Sequence, residues 1–467
     1  MASIQAIKFQ YMFKEYQQSQ AQLLPPTLSE LVAKDHIARL INHVVDSMDL
    51  SFLESQYSDQ GQHAYPPDML LKILVYGYAS GVRSSRRLAD KLHEDVVFMW
   101  LAGRLNPDFR TIADFRKDKL TDFKKVFTHV LDQCLALGMA HVGTISVDGT
   151  SIRASANKNR VIYRKQLQKR SALIEEKVTA IIDEAEAIDK EEERLLGNNT
   201  PHRTGQDFTD PSVAKTLKKL QEQKTRLARK KEILTATKIE ISKKEEKMRT
   251  DRNSFATADK DATVMFMKEG YVAPGYNAQL ATEHQVILGY GLYSNRNDSA
   301  LMQPILEEVL ARTGRMPNLV VADAGYGNKA TYRYLTKQRI PAFIPYTNYL
   351  RDRVLRNHGI STIPLSPDIE LEEYKATQRL RLESPVGKAL MDRRREDVEP
   401  TFGNIKRNLG FRRFLLRGMQ KCELELGLIS LAHNLKKIRK RVIDLCRWDD
   451  GRMKTRELGQ VLGYQMA

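Results

Sequence analysis

Cysteine and long apolar runs are both scarce in this chain of 467 residues. The three cysteines, Cys134, Cys422 and Cys446, share no CxxC spacing, which argues against a disulfide framework or a zinc knuckle and fits a reducing cytosol. No apolar run reaches the roughly 18 residues that a membrane span needs. The first residues lack the apolar core of a signal peptide. We therefore expect a cytoplasmic globular protein without a membrane partner.

Negative charge is also in short supply, with 58 Asp and Glu residues against 75 Lys and Arg residues. The formal net charge is +17 and the pI is near 9.5. Such a balance favours a polyanionic partner, and nucleic acid is the first candidate. An anionic membrane surface is the weaker option, because no amphipathic terminal helix or polybasic tail stands out.

Residues 1–125 predict an all-α domain. We expect one helix over residues 86–103 and another over 114–138, each preceded by capping residue types. A short turn before the first of these helices, with arginines at the helix start, resembles helix-turn-helix geometry. A plain helical bundle with surface arginines explains the pattern equally well, so both interpretations stay open. The arginines in question are Arg83, Arg86 and Arg87.

Strand patterns begin after this helical part. Residues 142–155 are rich in β-branched side chains, and we expect their strand to end at Asp148. Two further strands in 262–293 suit a hairpin, and a short buried strand ends at Asp323. The later strands alternate with helices. This order predicts an α/β domain in which an antiparallel meander is extended by parallel strands and covered by helices.

Residues 160–250 interrupt the strand patterns with two heptad series, which indicate an inserted antiparallel helical hairpin. Folding one series back on the other aligns every apolar position in one register. The predicted hairpin is about 45–50 Å long, and its role is a spacer, a dimerisation element or a grip on DNA. The first series is Leu167, Ile174, Ile181, Ile188 and Leu195, and the second is Val213, Leu220, Leu227, Leu234 and Ile241.

Residues 391–418 are strongly basic and contain one helical face of special interest. Arg395, Glu399 and Lys406 fall within about 40° of each other on an α-helix, beside an apolar stripe of 4-3-4 spacing. Taken alone, this face fits a solvated helix with an ordinary ion pair. Pro400 lacks an amide donor, so we expect the helix to start or kink near it. The stripe is Val398, Phe402, Ile405 and Leu409.

Asp148, Asp323 and Glu399 together predict a metal site. Aligned strand ends would place the two aspartates side by side, and a helix crossing the sheet can bring in the glutamate. Carboxylate oxygens gathered in this way suit Mg²⁺ or Mn²⁺. Two such ions, about 3.5–4 Å apart, activate a nucleophile and stabilise the leaving oxygen in phosphodiester attack.

The motifs around these carboxylates resemble those of DDE transposases of bacterial insertion sequences. SVDGTSIRASAN looks like the first-aspartate motif and VVADAGYGN like the second. RREDVEPTFGNIKRNLGFRRFLLRG looks like the glutamate region, with Arg395, Glu399 and Lys406 at the spacing of one branch. Asp392 stands where a related branch has a tyrosine, so the roles of that tyrosine do not carry over. Residues 65–116 are similar to the helical domain before the catalytic core in one branch.

The resemblance implies a protein organised around an RNase H-like mixed sheet flanked by helices. It implies a helical DNA-binding domain over 1–125 and a catalytic domain over 140–445. The hairpin insertion at 160–250 lies within the catalytic domain, and a tail follows at 446–467. The implied catalytic metal ligands are Asp148, Asp323 and Glu399, holding two Mg²⁺ ions. Arg395 and Lys406 would contact phosphate.

The implied activity is binding of the element's ends, metal-dependent hydrolysis of the phosphodiester bond, and strand transfer into target DNA. The implied partners are the element ends, target DNA and a second copy of the chain, as a homodimer or higher assembly on the nucleoid. Two alternatives remain. One is a nuclease of the same fold without strand transfer, and the other is an inactive DNA-binding protein derived from a transposase.

Overall fold

The computed structural model describes residues 26–57, 63–120, 122–196, 211–246, 248, 253–359 and 367–448. The chain forms two compact units, residues 1–121 with 439–467, and residues 122–438. The expected hairpin loop at 197–210 and the expected tail from 449 onward lie outside the described residues. Across the described ranges, no helix is long and apolar enough to cross a membrane.

Helices build the described part of the first unit. The longest of them before residue 121, α4, is buried from Met69 to Ala79 and forms the centre of this unit. In chain order the helices are α1 (Leu28–Leu31), α2 (Ile37–Asp46), α3 (Ser51–Glu54), α4 (Pro67–Ala79), α5 (Ser85–Glu94), α6 (Val96–Leu101) and α7 (Phe109–Asp114), followed by a π-helical turn (Phe115–Lys119).

The expectation of one helix over residues 86–103 was wrong, because Asp95 separates α5 from α6. Asp95 is extended, with φ −120° and ψ 117°, and its carboxylate accepts a hydrogen bond of 3.0 Å from the amide of Val97. A capping aspartate thus starts a second helix in a new direction. The stripe of buried leucines ends at Leu92, and Val96 is exposed.

The helix expected over 114–138 is also divided, since α8 (Phe123–Ala136) starts only in the second unit. Arg116, in the π-helical turn, is buried. Its guanidinium donates to the carbonyl of Arg83 at 2.8 Å and to the hydroxyl of Ser85 at 3.4 Å. A buried guanidinium needs such acceptors, and these contacts hold the turn against the α4–α5 connection.

Helices α4 and α5 form a close pair joined by residues 80–84. A Cβ on Gly77 would lie 2.6 Å from Cδ2 of Leu88 and 2.7 Å from the carbonyl oxygen of Val82. Glycine is therefore required for this approach. The pair is two helices joined by a short turn, which fits both the helix-turn-helix and the plain-bundle interpretation.

A curled mixed sheet forms the centre of the second unit. Its strand order is β4-β5-β1-β7-β8, and β6 also pairs with β5. Strands β1, β4 and β6 run antiparallel to β5, whereas β7 and β8 extend the sheet in parallel from β1. The strands are β1 (Thr144–Arg153), β4 (Thr263–Phe266), β5 (Val272–Glu283), β6 (Val286–Tyr293), β7 (Leu319–Ala322) and β8 (Ala342–Phe343), while β2 (Val161–Tyr163) and β3 (Ser254–Ala256) form a separate ribbon.

Helices cover this mixed sheet, as the alternation of strands and helices predicts. Helix α11 packs on β5 and β6, and α15 crosses β5, β1, β7 and β8. The helices after the inserted hairpin are α11 (Met302–Thr313), α12 (Lys329–Lys337), α13 (Tyr349–Asn357), α14 (Ile369–Glu383), α15 (Pro385–Gly403) and α16 (Met419–Trp448). Helix α16 includes the first three residues of the expected tail.

Strand β1 does not end at Asp148, which corrects the expectation. It continues to Arg153, because β5 pairs with it from Ser146 to that residue. Its parallel pairing with β7 stops at Val147 opposite Ala322. Asp148 and Asp323 are thus the next residue on each of two neighbouring parallel strands, so they emerge side by side.

Two long helices, α9 (Arg164–Leu196) and α10 (Pro211–Glu246), follow β2 and precede β3 along the chain, and they pack against each other. The cluster at their base contains Leu167, Ile174, Leu234 and Ile241, which all belong to the two heptad series. Exposed lysine–carboxylate pairs also join the two helices. These are Lys224 with Asp189 and Glu192, and Lys238 with Glu175.

Pro400 lies inside helix α15, so the helix does not start at this residue. The missing amide leaves the carbonyl of Glu396 without its usual intrahelical donor. The side-chain amide of Gln285 donates to that carbonyl instead, at 2.8 Å. A π-helical segment (Asn404–Asn408) follows the helix. The predicted apolar stripe is confirmed as buried, from Val398 at 0% to Phe402 at 6% exposure.

Candidate active site

Three carboxylates from distant parts of the sequence converge on one guanidinium. Arg394, on α15, lies 3.4 Å from Asp148, 3.9 Å from Asp323 and 3.7 Å from Glu399, measured between side-chain nitrogen and oxygen atoms. The structure therefore brings together the three acids that the sequence singled out. They differ in exposure. The side chain of Asp148 is 9% exposed, whereas those of Asp323 and Glu399 are 43% and 56% exposed.

Helix α15 is attached to the sheet by the buried carboxylate of Asp397. This group accepts hydrogen bonds from the backbone amide of Gln285 and from the hydroxyls of Ser146 and Thr282. Ser146 precedes Asp148 by two residues on β1, so both side chains lie on the same face of the sheet. The bonds to Asp397 thus hold the helix, and Glu399 with it, above the strand that carries Asp148.

Asp148 is held in an environment that disfavours its charge. Burial raises the pKa of this carboxyl to about 6, and the nearby charge of Asp323 adds to the rise. The cations Arg394 and Lys268 act in the opposite direction and lower the pKa. Because the two cations only partly offset the effect of burial, a further positive charge nearby would stabilise the ionised form of Asp148.

Lys406 reaches the same strand from the π-helical segment. Its ammonium group donates to the hydroxyl of Thr150 at 2.7 Å and to the carbonyl of Ser151 at 3.3 Å. Burial lowers the pKa of Lys406 below its usual value. Arg395 is different. Its side chain is 68% exposed, and its nearest carboxylate contact is Asp392 at 3.5 Å.

A polar network that sequence reasoning missed lies beside Gly149 and joins β5 to the loops after β6 and β7. Asp298 accepts hydrogen bonds of 2.6 Å from the side-chain amides of Asn277 and Gln279. Gln279 in turn accepts from the hydroxyl of Tyr326. Asp298 does not cap α11, because this helix begins at Met302. The paired amides hold its carboxylate beside Gly325, where a Cβ would lie 3.0 Å from Asp323 and 3.5 Å from Asp298.

His433 connects three elements next to α15. Its Nε2 lies 2.7 Å from the carbonyl oxygen of Gln285, and its Nδ1 lies 2.8 Å from the side-chain amide of Asn404. A neutral ring with its proton on Nε2 satisfies both contacts. Burial lowers the pKa of His433 to about 4, which keeps the ring neutral near pH 7. Its role is therefore structural.

The arginines singled out in the first unit are placed at the α4–α5 pair. Arg86 and Arg87 are exposed on α5, and the guanidinium of Arg86 lies 5.1 Å from the ring centre of Phe109. Arg83 lies in the connection and offers its carbonyl to Arg116. The side chains of Arg86 and Arg87 are thus open to a polyanion.

The three carboxylates fit a divalent cation by chemistry. They supply hard oxygen ligands, and Mg²⁺ or Mn²⁺ prefers such ligands. In the part of the chain that the structure describes, no three Asp, Glu, His or Cys side chains are close enough to hold a metal ion. Arg394 explains this spacing, because its guanidinium stands between the acids at 3.4–3.9 Å from each.

Two family models match the chain. Transposase domain (DUF772) matches residues 26–118, and Transposase DDE domain matches residues 251–435. The two matches together cover more than half of the sequence. The chain belongs to the DDE transposases of insertion sequences. No curated protein and no solved structure matched it.

The DDE match of this transposase contains Asp323, Glu399 and Lys406 but begins after Asp148. The inserted helices α9 and α10 separate β1 from the rest of the catalytic unit along the chain, and the match starts just beyond them. The pairing of β1 with β7 brings Asp148 beside Asp323, and α15 brings Glu399 near both. DDE transposases use divalent metal ions, which agrees with the chemistry of the three carboxylates.

Arg394 is the main site residue that sequence reasoning missed, although the pattern contained a signal for it. The buried stripe on α15 extends backward by four residues from Val398 to Arg394. An arginine at a buried position of a stripe requires buried partners of opposite charge. Arg394 lies about 140° from Glu399 around the helix axis, so it is outside the face that Arg395, Glu399 and Lys406 share.

Proposed function

We propose that this transposase binds the ends of its insertion sequence, hydrolyses the phosphodiester bond there and joins the freed 3′-hydroxyl to target DNA. The catalytic unit would be an RNase H-like domain. Its meander of antiparallel strands, extended by two parallel strands under covering helices, supports that assignment. The enzyme would act in the cytoplasm, on DNA of the nucleoid.

The observation that carries the proposal is the convergence of Asp148, Asp323 and Glu399 around one point of the sheet. These residues would hold two Mg²⁺ ions, or Mn²⁺ in their place. When bound, such ions activate a nucleophile and stabilise the leaving oxygen. Asp397 and the β5–β6 turn would keep Glu399 over β1. Lys406, anchored beside Asp148, and the exposed Arg395 would contact the phosphates that flank the scissile bond.

We propose that the first unit recognises the element ends. The α4–α5 pair, with Arg86 and Arg87 on the exposed side of α5 and Arg83 before it, supports a helix-turn-helix role. Replacing Arg86 and Arg87 by alanine should weaken binding to end DNA and lower its salt dependence. Equal affinity of the variant and the wild type in gel-shift titrations would assign recognition to another surface.

The test of the active site is incubation of the full chain with linear DNA that carries the element's ends and Mg²⁺. Asp323→Asn, Asp148→Ala and Glu399→Ala should each reduce end cleavage by about 10³-fold or more, while binding to end DNA persists. Glu396→Gln is the matched control, because Glu396 is exposed on the same helix. Normal cleavage by any of the three acid variants would refute the assignment of that residue.

Pre-cleaved ends with a free 3′-hydroxyl separate strand transfer from hydrolysis alone. Joining of such ends to a target plasmid supports the transposase reaction. End cleavage without joining would identify a nuclease, and DNA binding without either reaction would identify an inactive descendant. We also propose a homodimer or higher assembly on DNA, because two ends must be joined. Light scattering with and without end DNA measures the number of copies in the assembly.

A further inference from the structure

Arg394 is a buried cation with incomplete bonding. Its side chain is 8% exposed, and its Nε is buried with no hydrogen-bond partner in the described structure. The three carboxylates around it lie at 3.4–3.9 Å from its terminal nitrogens. Charge-assisted hydrogen bonds between such groups are usually about 2.7–2.9 Å long. The guanidinium is therefore close to all three acids and tightly bonded to none.

The two neighbouring arginines show that this placement is specific to Arg394. Arg393 contacts the ring of His284 at 2.8 Å, and Arg395 faces Asp392 at the surface. Of the run of three arginines, the middle one alone occupies the buried stripe position of α15. Burying a guanidinium whose Nε has no hydrogen-bond partner is costly, so a role in folding alone does not account for Arg394.

The charges around Arg394 favour the replacement of its guanidinium by metal ions. Three carboxylates within 4 Å of a single guanidinium leave an excess of negative charge. Two divalent cations would more than balance it, and a guanidinium between the same oxygens would then repel them. The metal ions and Arg394 therefore compete for the same three groups.

We propose that Arg394 is a positioning residue that acts as an exchangeable counter-cation of the active site. Before metal ions bind, its guanidinium holds Asp148, Asp323 and Glu399 near one another, and it leaves them when the ions arrive. This inference rests on the proposed function only in taking these acids as the metal ligands. It assigns to the resting enzyme a closed form of the site that metal binding opens.

The test is calorimetric titration of the full chain with Mn²⁺ in the absence of DNA. Arg394→Gln should bind Mn²⁺ about tenfold more tightly than the wild type, because no bound cation has to be displaced. Arg394→Lys, which keeps the charge, should stay near the wild type. Arg395→Gln is the matched control, since it removes the same charge one residue away at the surface, and its Mn²⁺ affinity should not change.

Unchanged or weaker Mn²⁺ binding by folded Arg394→Gln, as judged by near-UV circular dichroism, would overturn the exchange. If that variant does not fold, the wild type supplies a second measurement. The ¹⁵Nε resonance of Arg394, identified by its loss in Arg394→Lys, should shift on addition of Mg²⁺, and an unmoved resonance under saturating metal would refute the proposal. Neither measurement involves DNA, so a failed exchange with intact end cleavage leaves the proposed function standing.

Discussion

Single residues of this transposase owe their properties to neighbours that lie far away along the chain. Asp148 has its raised pKa because the sheet and α15 bury it, and Glu399 stays accessible at the edge of the same cluster. Asp148 itself and its neighbour Gly149 make quantitative predictions possible.

Asp148→Asn should stabilise the metal-free protein at neutral and higher pH. The pKa of Asp148 is raised from 3.8 to about 6, so its protonated form is the one favoured by folding. The stability that it contributes is present below pH 4 and is lost as the pH rises through about 6. The variant should therefore gain about 1–3 kcal/mol over the wild type at pH 8 and little at pH 4.

Urea unfolding in EDTA between about pH 4 and pH 8 measures this difference. Glu396→Gln, which removes an exposed carboxylate from α15, should stay within about 0.5 kcal/mol of the wild type. Parallel stability–pH curves for the wild type and Asp148→Asn would contradict the buried state of Asp148.

Gly149→Ala should destabilise the catalytic unit by about 2–3 kcal/mol. A Cβ at this position would lie 2.6 Å from Oδ1 of Asp298 and closer still to the amide nitrogen of Gln279. Gln279 is fully buried and bonded on both sides, so it cannot move without breaking these bonds. Thermal melts of the purified variant give the size of the loss.

Gly403→Ala is the matched control for that substitution. No atom lies within 4 Å of a Cβ at Gly403, and its backbone is helical with φ −57°. This change should stabilise the protein by about 0.5–1 kcal/mol. Equal melting temperatures of the two variants would show that the Asp298 network tolerates the added methyl group.

At the scale of helices and strands, the apolar periodicity predicted which residues are buried better than it predicted where each helix ends. The 4-3-4 stripe of α15 is buried as expected, whereas Pro400 failed to break that helix because Gln285 replaces its missing donor. The split between α5 and α6 follows from a single capping bond at Asp95. The ends of helices depend on such individual hydrogen bonds, and these cannot be predicted from the pattern of apolar residues.

The inserted pair α9–α10 should be removable without unfolding the catalytic sheet. Its ends meet at the β2–β3 ribbon, where Tyr163 pairs with Ser254, and its apolar cluster is separate from the sheet. Replacing residues 165–252 by an Asn-Gly turn should preserve the near-UV spectrum and reduce helical ellipticity. A variant that fails to fold would contradict the independence of the hairpin.

The same deletion variant distinguishes the possible roles of the hairpin. Light scattering on end DNA would show a smaller assembly if the hairpin joins two copies. A shorter nuclease footprint with an unchanged assembly would indicate contact with DNA. No change in either measurement would identify a spacer.

At the scale of the whole molecule, net charge dominates the expected interaction with DNA. The chain carries +17 at pH 7, and every phosphate that it neutralises releases condensed counterions. This contribution is largely independent of base sequence, so we expect it to supply affinity but no specificity.

Binding to DNA should therefore fall on the order of 10³-fold between about 50 mM and about 200 mM salt. Fluorescence anisotropy with end DNA and with an unrelated duplex of equal length gives, for each DNA, the slope of log affinity against log salt concentration. Similar slopes with different affinities would separate the charge contribution from end recognition. A flat salt dependence would mean that the basic surface does not face DNA.

The sequence by itself determined the family, singled out the three candidate acids, and predicted the buried stripe of α15 and the inserted helical hairpin. Each of these is encoded locally, as a motif or a repeat. The tertiary structure alone decided that Arg394 stands between the acids, that Lys406 anchors to Thr150, and that Asp298 belongs to an amide network. Those contacts join residues more than 18 positions apart, and many join residues separated by over 100 positions. Only the packing of α15 on the sheet brings most of them together, so no local pattern could reveal them.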